Sequence, residues 1–166
     1  MKIRLASDIQ SDSILDGEGI RTVIWFQGCS HNCEECHNPE THNFNGGFEI
    51  DTEDIKKQID KLEYQNGITL SGGDPFFQPE GATEIAKYAH KKGYNVWAYT
   101  GFLYEDLLKN KKTKILLENI DVLIDGKFVK ALKSFECKFR GSTNQRVIDV
   151  QKSLEQGEVV LYYEDW

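Results

Sequence analysis

Three of the four cysteines in this chain lie within eight residues, at Cys29, Cys33 and Cys36, and Cys137 lies far from them. The spacing C-x3-C-x2-C places three thiolates on one short loop, close enough to bind a single inorganic centre. A [4Fe-4S] cluster usually takes four thiolates, so three would leave one iron free to bind a substrate group directly. Four cysteines are too few for a disulfide scaffold, and in a reducing compartment such a cluster indicates a metal site.

Zinc is the alternative occupant of these cysteines. A closed zinc site has four ligands and imidazole suits zinc, so His31 or His37 would supply the fourth. Zinc sites more often consist of two C-x2-C pairs, so the spacing favours iron–sulfur while leaving zinc open. Cys137 is a remote candidate ligand. Its alternation with Phe135 and Phe139 is typical of a strand, which favours a packing role.

The cysteine loop follows a β-branched and aromatic run at 22–26, which predicts a strand. Further strands are predicted at 68–70, 95–99 and 122–124, with helix-period segments between them. The order β-α-β-α-β-α-β implies parallel strands joined by crossovers, and the rest of the chain, through residue 161, is expected to add a helix and one edge strand. The loops after the strands then meet at one edge of the sheet, where parallel α/β folds bind ligands.

Length and charge limit the classes of protein. The 166 residues suit one domain, 1–166, and are too few for a closed (β/α)8 barrel of ~250 residues. The formal charge of −7 disfavours nucleic acid and anionic lipid as partners. There is no apolar run of ~18 residues to span a membrane, and residues 1–10 lack the apolar core of a signal peptide, so we expect a cytoplasmic location.

The cysteine loop and the later segment Ser-Gly-Gly-Asp-Pro at 71–75 resemble the radical S-adenosylmethionine superfamily, which combines C-x3-C-x2-C with a Gly-Gly-Glu-like segment. Asp74 stands where glutamate is usual, which keeps the carboxylate but shortens it. The segment Asp-Gly-Glu-Gly-Ile-Arg-Thr-Val at 16–23 is similar to the glycyl-radical-enzyme activases. Further blocks are similar to the activases of anaerobic ribonucleoside-triphosphate reductases, and they occur in that family's order: 99–102, 121–128 and 140–146.

This resemblance implies an α/β fold, an incomplete and open (β/α) barrel of mostly parallel strands. It implies a [4Fe-4S] cluster on Cys29, Cys33 and Cys36, with S-adenosyl-L-methionine bound to the free iron through its amino and carboxylate groups. Reductive cleavage would yield a 5′-deoxyadenosyl radical that forms a glycyl radical on the reductase. The implied partners are the glycyl radical subunit of that reductase, a one-electron donor such as a flavodoxin or ferredoxin, and a second copy in a homodimer.

The resemblance also assigns contacts with S-adenosylmethionine on two of the loops. Gly72 and Gly73 would let the backbone approach its methionine end, and Asp74 would meet the amino group or only cap the next helix. A second stretch resembles the backbone that lies along the adenine in this family, with the histidine either stacked or exposed: Glu35, Cys36 and His37.

Asp125 and Lys127 match a D-x-K pattern of the activases, in which the aspartate faces ribose or amino nitrogen and the lysine faces the methionine carboxylate. The alternative is a plain turn with a solvated lysine. Arg140 and Arg146 flank a polar run that is predicted to cap a helix starting near Gln145, or to face a ligand or partner.

Three other functions fit parts of the pattern. The target could be another glycyl radical enzyme, or a small molecule such as a deazapurine precursor. The short chain favours a macromolecular target, because few residues are left to enclose a small substrate. A zinc-stabilised binding module without catalysis is the third.

Overall fold

The structure, a computed structural model, describes residues 1–31, 33, 39–134 and 138–163. Its strands are β1 (Lys2–Leu5), β2 (Gln10–Ser13), β3 (Arg21–Phe26), β4 (Phe48–Asp51), β5 (Gly67–Gly72), β6 (Asn95–Tyr99), β7 (Val122–Asp125) and β8 (Arg146–Asp149). Its helices are α1 (Thr52–Asp60), α2 (Pro79–Lys91), α3 (Tyr104–Leu107), α4 (Lys111–Glu118) and α5 (Val150–Gln156), with 3-10 turns at Pro39–Thr41, Pro75–Phe77 and Lys130–Leu132. None of these helices is long and apolar enough to cross a membrane.

The strands of the described residues form one open, mixed sheet in the order β4-β1-β3-β5-β6-β7-β8, with β2 paired to β3 outside this path. The four strands β3, β5, β6 and β7 are parallel neighbours, as the β-α-β pattern predicted. Strands β1, β2, β4 and β8 pair antiparallel to their neighbours, so the expectation of mostly parallel strands holds only for the centre. The fold is therefore α/β with a mixed sheet.

One prediction for the end of the chain was wrong, although the expected helix and edge strand are both present as α5 and β8. The segment from Arg146 is strand β8, which pairs with β7, and not a helix from Gln145. The helix begins at Val150, where the Asp149 side chain accepts a hydrogen bond from Lys152 N at 3.1 Å. The apolar residues near Leu161 add only an isolated bridge to β8. The edge strand thus precedes the last helix, because an apolar strand can complete the sheet edge where an amphipathic helix cannot.

Side chains of β3 alternate between the two faces of the sheet. Ile24 and Phe26 are completely buried in the core formed with the helices, where Ile55 of α1 and Ile85 of α2 also lie. Trp25 points to the opposite face and lines a cavity. The helices therefore cover one face, and the other is left for a site.

A buried cation fixes the amino ends of the parallel strands. Arg21 is completely buried, and its Nε donates to Thr69 Oγ1 at 2.7 Å. Its Nη2 donates to the Ile68 carbonyl at 2.9 Å and to Asn95 Oδ1 at 2.7 Å, and its Nη1 donates to the Glu18 carbonyl at 3.0 Å. Burial lowers the pKa of Arg21 to about 10, so the side chain stays charged at neutral pH. One guanidinium thus joins β3, β5, β6 and the loop before β3.

The last described residues close the same end of the sheet. The Tyr162 hydroxyl donates to a Glu18 carboxylate oxygen at 2.9 Å, and the Tyr163 hydroxyl donates to the other oxygen. Burial, and then the bond to Glu18, raises the pKa of both phenols. The Tyr162 ring packs edge-on against Trp97 at 5.5 Å. The C-terminal segment therefore holds the loop before β3 against the sheet.

Replacement of Arg21 by methionine is expected to destabilise the protein strongly. Methionine has a similar length but donates nothing, and each buried acceptor left without a donor costs about 1–3 kcal/mol. We expect Arg21→Met to lower the free energy of unfolding by at least about 3 kcal/mol, measured by urea denaturation. Lys57→Met, on the exposed side of α1, is the control and is expected to change it by less than about 0.5 kcal/mol. Equal midpoints for the two variants would contradict this assignment.

Candidate metal and cofactor site

A cavity of about 550 Å³ opens at the carboxyl ends of the parallel strands, on the face without helices. Cys29 and Cys33 line it together with Gly72, Gly73 and Tyr99, and its far wall comes from residues within 126–134 and 139–145. Its size lies within the range of ~300–1,000 Å³ that is usual for small-molecule sites. The position is the one predicted from the order of strands and loops.

Backbone hydrogen bonds fix the start of the cysteine loop from two sides. Gly28 N donates to the Thr41 carbonyl at 2.6 Å, and Cys29 N donates to the His42 carbonyl at 3.1 Å. On the other side, Asp74 N donates to the Gly28 carbonyl at 3.0 Å. The backbone at Cys29, the first predicted ligand, is therefore held in place by neighbouring loops.

Gly72 and Gly73 are required by the protein's own backbone. A Cβ on Gly72, whose φ is +106°, would lie 2.3 Å from the Phe26 carbonyl oxygen. A Cβ on Gly73 would lie 2.5 Å from the carbonyl oxygen of Gly28 and 2.8 Å from that of Thr41. Only glycine allows the end of β5 to pass this close to the cysteine loop. Their predicted contact with S-adenosylmethionine is a separate matter and stays a prediction.

The Asp74 carboxylate joins the loops that follow three of the parallel strands. The side chain is completely buried, and its Oδ1 accepts from Phe76 N at 3.0 Å, which is the helix cap that the sequence offered as one of two alternatives for Asp74. Its Oδ2 accepts from Thr100 Oγ1 and from Gly101 N, both at 2.9 Å, and lies 2.8 Å from His31 Nε2. The carboxylate is thus surrounded by groups of the protein itself.

This contact with Asp74 bears on the zinc alternative. His31 Nε2 faces the carboxylate, and the histidine side chain, which is only 7% exposed, lines the same cavity as Cys29 and Cys33. In the described ranges, no group of three His, Cys, Asp or Glu side chains is arranged to hold a metal ion. The contact gives His31 a structural bond through Nε2 and leaves Nδ1 as the ring nitrogen that a zinc ion would take.

Several predicted residues lie outside the described residues: Glu35, Cys36, His37 and Cys137. The two described members of the cysteine motif, Cys29 and Cys33, are each partly exposed in the same cavity wall. Soft thiolates that share one cavity, with a third thiol at Cys36 in the sequence, fit an iron–sulfur cluster.

Asp125 faces the protein interior, where it forms an ion pair. It is completely buried and accepts from Arg146 Nε at 3.0 Å, from Arg146 Nη2, and from Tyr104 N at 2.8 Å. The bond to Asp125 raises the pKa of Arg146, and Glu105 adds a second bond at 2.6 Å. Lys127 is exposed beside a neighbouring hollow, so the two members of the D-x-K pattern have separate surroundings.

Two aromatic residues are among the cavity residues that were not assigned a role from the sequence. Tyr99 and Trp25 project into the cavity from β6 and β3. Burial, and then the negative charge of Asp16, raises the pKa of Tyr99, so its phenol stays protonated. The alternation of side chains along a strand could have found both residues. Tyr99 is two residues from Trp97 on β6, and Trp25 is four residues from Arg21 on β3, so each pair lies on one face of the sheet.

We expect Gly73→Ala to displace the cysteine loop. Its Cβ would press on the Gly28 carbonyl, and overpacking of this kind costs about 1–3 kcal/mol. The metal-free variant should react faster than the wild type with a thiol-alkylating reagent at Cys29 and Cys33. The control is Gly93→Ala, where φ is +88° and no atom lies within 4 Å of the added Cβ, so backbone strain acts alone. The assignment is wrong if both variants alkylate at the wild-type rate.

We expect Arg146→Met to cost about 3 kcal/mol of unfolding free energy, because it leaves the Asp125 carboxylate buried without its cation. The double variant Arg146→Met with Asp125→Asn should recover part of this loss, since a neutral amide still accepts from Tyr104 N. Urea denaturation of the metal-free proteins measures both. A double variant less stable than the single one would show that the ion pair is not what stabilises this loop.

The chain is similar to known proteins over most of its length. The model of a family described as "4Fe-4S single cluster domain" matches residues 15–148. The chain is 35% identical over 143 residues to the anaerobic ribonucleoside-triphosphate reductase-activating protein of Enterobacteria phage T4, covering 80% of this chain and 86% of that protein. Identity to the protein of the same name from Escherichia coli K12 is 35% over 144 residues, covering 81% of this chain and 91% of that protein.

A third relative is the pyruvate formate-lyase-activating enzyme of Clostridium pasteurianum, 35% identical over 123 residues. That match covers 68% of this chain and 52% of the enzyme. The resemblance predicted from the ordered sequence blocks is confirmed: the chain belongs to the family of anaerobic ribonucleoside-triphosphate reductase-activating proteins.

Proposed function

We propose that this chain activates an anaerobic ribonucleoside-triphosphate reductase by forming a glycyl radical on it. The observation that carries this proposal is the position of the cysteine loop, fixed by backbone bonds on two sides at the edge of an open cavity. A [4Fe-4S] cluster at this place, when bound, supplies the electron that cleaves S-adenosyl-L-methionine into a hydrogen-abstracting radical. Cys29, Cys33 and Cys36 would hold it.

The chain's own residues would bind and orient rather than transfer protons. The Tyr99 phenol stays protonated in the cavity wall, and the two interior carboxylates, Asp74 and Asp125, are bonded to groups of the protein. A hydrogen-atom transfer from a glycine Cα needs neither an acid nor a base. The hard chemistry belongs to the cofactors, and the protein supplies position and electrostatics.

A protein substrate suits the mouth of the cavity. Ile14 and Leu15 are 68% and 78% exposed, and Leu15 lines the cavity. Val129 and Leu132 are exposed on the segment that forms the opposite wall. Large apolar side chains exposed together are typical of surfaces that bind another protein. The sheet is open, which supports an open, incomplete barrel into which a loop of the partner could enter.

The remaining assignments belong to the same proposal. A cytoplasmic location is expected from the sequence, whereas three others rest on the family alone: a flavodoxin or ferredoxin as electron donor, a homodimer, and the contacts with S-adenosylmethionine. Those contacts are assigned to Glu35, Cys36, His37, Gly72, Gly73, Asp74, Asp125 and Lys127.

Anaerobic reconstitution with iron and sulfide tests the cofactor chemistry. With a reductant and S-adenosylmethionine, the reconstituted chain is expected to produce 5′-deoxyadenosine. Cys33→Ala, which removes one thiolate ligand, should reduce the product to the level without protein. If the wild type produces no more than this control, the proposed chemistry is absent.

A second experiment tests the target. The similarity to a pyruvate formate-lyase-activating enzyme makes that class of enzyme the alternative substrate. The reconstituted chain is incubated with an anaerobic reductase or with a pyruvate formate-lyase, and the glycine-centred radical is measured by electron paramagnetic resonance. We expect a signal with the reductase. A signal with the lyase alone would reassign the target while leaving the cofactor chemistry intact.

A further inference from the structure

We propose that His31 is a positioning residue, which holds the cysteine loop in its cluster-binding conformation through Asp74. The inference rests on the proposed function only in taking this loop to carry a cluster. His31 lies midway between Cys29 and Cys33 in sequence. A contact that fixes its side chain therefore also constrains the backbone that carries both ligands.

The contact is buried and short. His31 Nε2 lies 2.8 Å from Asp74 Oδ2, with the histidine side chain 7% exposed and the aspartate side chain fully buried. Hydrogen bonds to a carboxylate are stronger than those between neutral groups, and burial protects them from water. A residue of an exposed ligand loop would ordinarily point to solvent. Here it is turned inward and anchored.

The acceptor is itself held by further hydrogen bonds. Thr100 Oγ1 and Gly101 N bind the same Asp74 oxygen as His31, and Phe76 N binds the other. Asp74 belongs to the loop after β5, and Thr100 and Gly101 follow β6. The cysteine loop is therefore tied through one carboxylate to the ends of two further strands.

The surroundings are shaped for an imidazole ring. The His31 ring packs edge-on against Phe102 at 4.5 Å and tilted against Phe77 at 5.4 Å. A Cβ on Gly101 would lie 2.5 Å from the His31 ring, so only glycine leaves room for the histidine at that position. The packing and the hydrogen bond thus hold the same ring in one orientation.

This arrangement has a consequence for cluster binding. Ordering a flexible loop costs conformational entropy, and groups behind the ligands of a metal lower that cost by fixing the ligands in advance. Loss of such a partner typically weakens metal binding by about 10–100-fold. His31 would therefore affect how firmly the cluster is held without binding it.

The test compares His31→Ala and His31→Gln with the wild type. A matched control is His90→Ala, because His90 Nε2 forms the same kind of pair with Asp121 at 2.7 Å, at the opposite end of the strands. The reconstituted proteins are exposed anaerobically to an iron chelator, and cluster loss is followed by visible absorbance. The electron paramagnetic resonance spectrum of the reduced cluster, and the alkylation rate of Cys29 and Cys33 without metal, are measured in parallel.

We expect His31→Ala to lose its cluster about tenfold faster, to show an altered spectrum, and to expose both thiols to faster alkylation. The glutamine amide can still donate to Asp74, so His31→Gln should recover much of the wild-type behaviour, and His90→Ala should match the wild type. Urea denaturation of each variant separates loop effects from global unfolding.

Two results would overturn the inference. His31→Ala could behave like His90→Ala, or His31→Gln could be as impaired as His31→Ala, in which case ring packing rather than the bond to Asp74 holds the loop. The proposed function fails differently, when a wild-type protein with an intact cluster yields no 5′-deoxyadenosine. The alkylation measurement needs no cluster, so it stays informative in either case.

Discussion

The Asp74 carboxylate is buried at the point where the loops after three parallel strands meet. Four donors surround it, two from backbone amides and two from the side chains of His31 and Thr100. A buried carboxylate is costly unless such donors satisfy it, so each of these loops must keep its place for the others to be stable. The cysteine loop is one of them, and the architecture of the candidate site depends on this requirement.

Two other sets of buried charged groups also join strands of the sheet. Arg21 joins the amino ends of the central strands, and the Asp125–Arg146 pair joins β7 to the antiparallel edge strand β8. Charges of this kind contribute little to stability on balance, because desolvation offsets much of the attraction. They do oppose any register in which they would lose their partners. The central strands are thereby held together at their amino ends, and β7 is held to β8 at the edge of the sheet.

The sequence predicted the centre of the fold well and its flanks poorly. The strands before and after the cysteine loop were found because β3 and β5 are apolar runs, which is typical of strands buried on both faces. Strands β1, β2 and β4 were missed: β2 reads Gln-Ser-Asp-Ser, which carries no apolar alternation, and pairing with β3 alone makes it a strand. The polar run before Arg146 likewise predicted a helix cap. The segment instead forms strand β8, which pairs with the edge of β7.

What the sequence by itself determined is local: the three-cysteine spacing, the β-α units around it, and the family. Spacing and periodicity are properties of neighbouring residues, and short-range chemistry is enough to interpret them. The tertiary structure alone decided that Asp125 pairs with Arg146, that Gly73 is glycine because of the Gly28 carbonyl, and that His31 Nε2 lies against Asp74. His31 and Asp74 are 43 residues apart. Only the packing of the strands brings their side chains together, so no local sequence pattern predicts this contact.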